Sequence, residues 1–74
     1  MINGCEQAKG LLAEAAHCEV ASIPDDVRIG QFAPWDSLAH LRLVLGIEQR
    51  IGRTLDADEA IRIESLKDIA ALLG

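Results

Sequence analysis

Apolar positions recur at helical spacing over most of the chain. Ile2, Cys5, Ala8, Leu11, Leu12, Ala15 and Ala16 follow one another at the intervals of a helix face, which predicts a first helix over about Cys5–His17. The pattern then breaks. Cys18–Trp35 holds both prolines, Pro24 and Pro34, together with Gly30 and the Asp25-Asp26 pair. Proline ends helices and pushes the residue before it towards extended backbone, so a long loop is expected here. Ile23, Val27, Ile29, Phe32 and Trp35 are spread through it. They are expected to pin the loop, because long loops without such anchors are uncommon in compact domains.

The helical pattern resumes at Asp36 or Ser37 and runs to about Ile51, where Gly52 is a natural stop. Leu38, Leu41, Val44 and Leu45 mark one face of this second helix, with Ile47 and Ile51 flanking it. Leu41 is accordingly expected in the core, as is Ile63 further on. Asp56 with Glu59 three residues later has the form of a capping box and predicts a short third helix. Ser65, with Asp68 in the equivalent position, predicts the cap of a fourth helix over Leu66–Leu73. The reading is all-α: a small four-helix bundle with a long loop between its first two helices.

Seventy-four residues make a single domain, 1–74, near the lower limit for a self-sufficient core. Half of the residues are hydrophobic, yet Phe32 and Trp35 are the only aromatic ones. A core of Leu, Ile, Val and Ala suits helix packing better than a sheet. Residues 1–37 carry six acids and two bases, net −4, and residues 38–74 six acids and five bases, net −1, which together give the total of −5. Such a surface repels phosphate backbones, which argues against nucleic acid and for basic protein surfaces as partners. The longest apolar run, Leu43–Ile47, is too short to span a bilayer, so no membrane role is expected. No secretory leader is recognisable. A cytoplasmic protein with Cys5 and Cys18 as reduced thiols is preferred over a Cys5–Cys18 disulfide. The start at Met1 and the end one residue past the fourth helix suggest a free-standing protein.

The candidate chemistry lies at the start of the second helix, in Trp35-Asp36-Ser37-Leu38. A serine there offers its hydroxyl to solvent, and the free N–H groups of a first helical turn attract an anion. The series that follows is Leu41, Val44, Leu45, Ile47, Glu48 and Ile51, then Leu55, Asp58-Glu59-Ala60, Ile63, Leu66 and Ile69. With Asp36-Ser37-Leu38 in front of it, this series resembles the acyl carrier protein family over about residues 20–74. The first helix matches by pattern alone.

The resemblance implies an acyl-carrier-like bundle and a function. Ser37 would be the attachment site for 4′-phosphopantetheine, placed there from coenzyme A by a phosphopantetheinyl transferase. The arm would hold an acyl or aminoacyl group as a thioester. A loading ligase and a downstream transferase or synthase would be the other partners. The carrier itself would not be an enzyme. Asp36 matches the family aspartate that orients the serine, and Leu38 the residue that packs beneath it. Trp35, Leu41, Arg42 and Leu45 fall in the surface through which such carriers dock. Ile47, Leu55, Ala60, Ile63 and Ile69 match positions that surround an acyl chain in fatty-acid carriers, with Leu45 at their edge.

The chain also departs from the fatty-acid carriers. Their second helix usually presents several acids, whereas here Ala39, His40, Arg42, Gln49 and Arg50 interrupt them. Trp35 replaces a small residue. A charge reversal at Arg42 alters partner choice more than fold. These departures point to a dedicated carrier of a specialised biosynthetic pathway, with ordinary fatty-acid or polyketide synthesis as the alternative. The supposed acyl-lining residues are bulky, which favours a small aminoacyl or short acyl cargo that stays outside the bundle.

Each reading has a plainer competitor. Asp36 reads equally as an ordinary N-cap. Trp35 is better taken as a hydrophobic anchor than as a stacking platform. His40 reads as a solvated helix residue, with contact to the arm left open. Cys5, His17, Cys18 and His40 lack the paired short spacings of a zinc site, and no metal is expected. Cys18 beside His17 lacks an orienting third group for catalysis. A helical interaction module without an arm is the rival class. A small enzyme is the least favoured, since no acid–base–nucleophile set converges.

Overall fold

The computed structural model describes residues 4–73, apart from the side chain of Cys5. The expected roles of Ile2 in the first helix face and of the Cys5 thiol fall outside the described residues. Among the described residues four α-helices follow in order: α1 Gly4–Ala16, α2 Ser37–Ile51, α3 Ala57–Ile61 and α4 Leu66–Leu73. The expected all-α bundle is present, and no strand occurs among the described residues. α1 packs against both α2 and α4, and α2 against α4. α3 stands apart from this three-way packing.

α1 contributes Ala8, Leu11, Leu12, Ala13 and Ala15 to the core. α1 meets α2 where Leu11 lies against Gly46, at which an added Cβ would sit in ordinary contact, 3.5 Å from Leu11 Cδ2. The helix closes as a Schellman motif. His17 takes the left-handed position at φ 56° and Cys18 N–H donates to the Ala13 carbonyl at 3.0 Å. α2 ends in the same conformation at Gly52, φ 75°, whose N–H donates to Glu48 O. The glycine expected as a stop is there because a side chain is disfavoured at that φ.

The long connection is a loop with one short 3₁₀ turn, Val20–Ser22, that the sequence pattern missed. Ile23, Val27 and Trp35 are buried in the core, and Ile29 and Phe32 pack partly against it, so the expected anchors hold the loop down. Polar ties add to them. Ile29 N–H donates to Glu64 O at 3.0 Å, Arg28 forms an isolated antiparallel bridge with Ser65, and its guanidinium pairs with Glu64 at 3.1 Å. Lys9 of α1 also pairs with Asp25, and its hydrogen bond holds that carboxyl below its usual range.

The packed face of α2 corrects the sequence reading. Ala39, Leu43, Val44 and Ile47 point inward, while Leu38, Leu41 and Leu45 are exposed. The helix carries apolar residues on two opposite sides. Spacing alone reports that a stripe exists and not which stripe meets the core. Leu41 is therefore not a core residue and Leu38 is not tucked beneath its neighbours, whereas Ile63 is buried as expected.

Candidate functional site at the start of α2

The first turn of α2 is built by Asp36. Its backbone is extended, φ −96° and ψ −172°, and its carboxylate accepts the Ala39 N–H at 2.8 Å. This is the N-cap geometry in which one side-chain oxygen satisfies an otherwise orphaned helix donor. Ser37 follows as the first helical residue and is exposed. Its hydroxyl makes no hydrogen bond with the described residues, and the N–H groups of Ser37 and Leu38 have no acceptor there. The site thus presents a free hydroxyl beside two free donors at the positive end of a fifteen-residue helix. An anion esterified to that hydroxyl would meet favourable dipoles on arrival.

Trp35 is what fixes this turn in place. It is only 2% exposed and is among the largest fully buried side chains. Its indole N–H donates to His40 Nδ1 at 3.1 Å, and His40 Nε2 lies 2.9 Å from the Ala60 carbonyl. The two rings stack with centroids 6.1 Å apart. An indole N–H only donates, so Nδ1 must accept. Nε2 therefore carries the proton and donates to Ala60. One imidazole joins the segment before Ser37, the second turn of α2 and the end of α3.

Two expectations change here. Trp35 is enclosed and offers no docking surface; burial of the chain's largest apolar side chain outweighs its position beside the motif. His40 is not a solvated residue but a half-buried bridge. A sequence signal for the pair existed. A buried tryptophan needs an acceptor for its N–H, and His40 is the nearest imidazole in the chain. Its second bond, to a carbonyl twenty residues away, had no local signature.

The remaining site residues fall into two groups. Leu38, Leu41, Arg42 and Leu45 lie on the exposed side of α2, near Ser37. Ile47, Ile63 and Ile69 are fully buried and Leu55 nearly so, with Ala60 half-buried at the end of α3. These aliphatic residues belong to the packed core. A surface pocket of about 230 Å³ between α3 and α4 reaches Ile63 and is otherwise lined by Glu59, Arg62, Asp68, Ala71 and Leu72.

α3 is secured by polar contacts. Asp56 and Glu59 form the expected capping box, with Glu59 N–H donating to Asp56 at 2.8 Å and Asp56 N–H to Glu59 at 3.3 Å. Both carboxylate oxygens of Glu59 also accept from Arg53, at 3.1 and 2.9 Å. That bidentate contact, and then the Asp56 N–H, hold the Glu59 carboxyl below its usual value of 4.5. At α4 the Asp68 carboxylate accepts from the backbone N–H groups of Glu64 and Ser65 and from the Ser65 hydroxyl. Only half of the expected Ser65/Asp68 box is present: Asp68 accepts from the Ser65 N–H, but the Ser65 hydroxyl donates to Asp68 instead of accepting a backbone N–H of α4.

Among the described residues no cluster of three or more His, Cys, Asp or Glu side chains could hold a metal ion, and no helix is long and apolar enough to cross a membrane. Cys18 is a free, half-buried thiol. In comparisons with known proteins the sequence matches no family model and no curated protein, so the site rests on its own geometry.

Proposed function

We propose that the chain is a carrier domain of the acyl-carrier-protein type that bears 4′-phosphopantetheine on Ser37. The observation that carries the proposal is the exposed, unbonded Ser37 hydroxyl at the first helical position, capped by Asp36 and flanked by two free backbone donors. A phosphopantetheinyl transferase would join the Ser37 oxygen to the pantetheine-side phosphorus of coenzyme A, the serine proton departing, the pyrophosphate P–O bond breaking and adenosine 3′,5′-bisphosphate leaving. The arm, once attached, supplies a terminal thiol that holds an acyl or aminoacyl group as a thioester. Asp36 orients the serine by closing the turn. The helix N-terminus stabilises the phosphodiester. Trp35 and His40 keep the turn rigid, which suits a residue that must enter another protein's active site.

In this reading the protein is not itself an enzyme. It works in the cytoplasm between a loading ligase and a downstream transferase or synthase of a specialised pathway. The burial of Ile47 and Ile69 in the core supports a small aminoacyl or short acyl cargo carried outside the bundle, because opening a cavity between them would cost stability that a small domain lacks. Co-expression with a broad-specificity phosphopantetheinyl transferase followed by intact-mass measurement tests the assignment. A gain of one phosphopantetheine, absent in Ser37→Ala, is expected. An unmodified wild-type chain under conditions that load a control carrier would leave the arm-less interaction module as the better reading.

A further inference from the structure

His40 is held by two bonds of opposite sense. Its Nδ1 accepts from the Trp35 indole at 3.1 Å, and its Nε2 faces the Ala60 carbonyl at 2.9 Å. Only the neutral ring with its proton on Nε2 makes both. A second proton, taken from solvent, would go to Nδ1, the one nitrogen still bare. Two N–H groups would then meet across the 3.1 Å contact. The Ala60 bond would survive and gain strength, because its donor becomes charged. The two sides of this joint therefore respond to acid in opposite directions.

The Trp35 side has nothing in reserve. The indole is buried, and among the described residues no buried side-chain nitrogen or oxygen lacks a partner, so no idle acceptor waits there. A buried N–H without an acceptor is costly, so the indole must shift or reach water. Stacking offsets little of this. Cation–π attraction extends to about 6 Å, and the ring centroids are 6.1 Å apart. Trp35 also closes a turn, its backbone N–H donating to Phe32 O at 2.9 Å, and Asp36 and Ser37 follow it directly. Movement of the indole is thereby passed to the serine turn.

The surrounding charges do not decide the matter. On α2, Asp36 lies one turn before His40 and Arg42 two residues after it, with Glu48 and Arg50 further along. On α3, Asp56, Asp58 and Glu59 precede Ala60 and Arg62 follows it. Asp36 is committed to the Ala39 N–H, Glu48 to the Leu55 N–H and Glu59 to Arg53. None of these carboxylates pairs with the imidazole. No charged residue is buried among the described residues, so α1 and α4 bring no buried charge to the ring from the core side. The two hydrogen bonds set its behaviour.

We propose that His40 is an acid-operated joint: the neutral ring ties the turn before Ser37 to α3, and the imidazolium releases Trp35 while keeping Ala60. Acid then loosens the approach to the serine and leaves α3 fastened to α2.

The test is a titration of the isotope-labelled protein between about pH 8 and pH 5, the range in which histidines change charge. Ring nitrogen chemical shifts follow His40, with exposed His17, the other histidine of the chain, as reference. As His40 takes its second proton, the Trp35 indole N–H should exchange with water severalfold faster, although acid slows intrinsic exchange. The Asp36 and Ser37 amides should shift with it. The Ala60 and Arg62 amides, bonded within α3, should keep their protection. His40→Gln, which offers one acceptor and one donor without titrating, should abolish the response; if it does not fold, the wild-type titration decides alone. An indole N–H that stays protected throughout, α3 amides that open with it, a His40 that stays neutral until the fold melts, or an unchanged response in folded His40→Gln would each overturn the proposal. The bare chain suffices, so a negative result leaves the attachment of an arm to Ser37 untouched.

Discussion

α3 and α4 are neighbours in sequence and are held in opposite ways. α4 buries Leu66 and Ile69 and sits in the three-helix core. α3 has five residues, none of them buried, and depends on directional polar links: its capping box, the Arg53–Glu59 pair and the His40–Ala60 bond. Burial is non-directional and tolerates small shifts, whereas hydrogen bonds hold one geometry or fail. α4 therefore behaves as part of the scaffold. α3 behaves as a separately latched element beside Ser37.

Breaking the scaffold side should have the largest effect. Ile69→Ala removes a fully buried side chain and should cost about 2–5 kcal/mol in urea unfolding. Ile63→Ala, in the turn between the two helices, falls in the same range of about 2–5 kcal/mol. The latch should yield less. His40→Phe keeps an aromatic ring but leaves the Trp35 N–H and the Ala60 carbonyl unmatched, at a cost of about 1–3 kcal/mol. Hydrogen exchange should quicken across Ala57–Ile61 and stay unchanged in Leu66–Leu73; equal acceleration in both would erase the distinction between the helices.

Removing the cap of α3 by Asp56→Ala should cost about 1 kcal/mol. The Arg53–Glu59 contact gives a smaller, pH-dependent effect. Because the folded Glu59 carboxyl titrates below 4.5, its contribution is complete above that value and is lost as pH falls through the lowered folded value. Glu59→Gln should therefore narrow the stability difference between neutral and acidic solution; a wild-type acid profile in the variant would show that the pair contributes nothing. Leu41→Ala should be the quietest change, within about 0.5 kcal/mol, since its side chain already faces water.

Elements with local chemistry were legible before any coordinates. Asp36 before Ser37, Gly52 after Ile51, the Asp56/Glu59 box and the span Leu66–Leu73 all follow from short-range capping rules, and each is found where the rules put it. The error on α2 has a different origin. Its two apolar stripes have the same period, and only tertiary packing decides that Leu43 and Ile47 go inside while Leu41 and Leu45 stay out. The Trp35–His40–Ala60 link was hidden for a related reason, since its far end depends on where α3 comes to rest. Ser37 was readable because its cap lies next to it in the chain. The surroundings that hold it still were not.

The chain has one tryptophan and no tyrosine, and that tryptophan lies two residues before Ser37 with its ring against an imidazole. The protein therefore carries its own optical gauge. Tryptophan emission comes from a single buried site, and a change in its colour or lifetime reports on the surroundings of Trp35, where the serine turn meets the core and, through His40, the end of α3. Attachment of a group at Ser37, release of the latch and global melting can each be followed in unlabelled material, in real time, from the light of one indole.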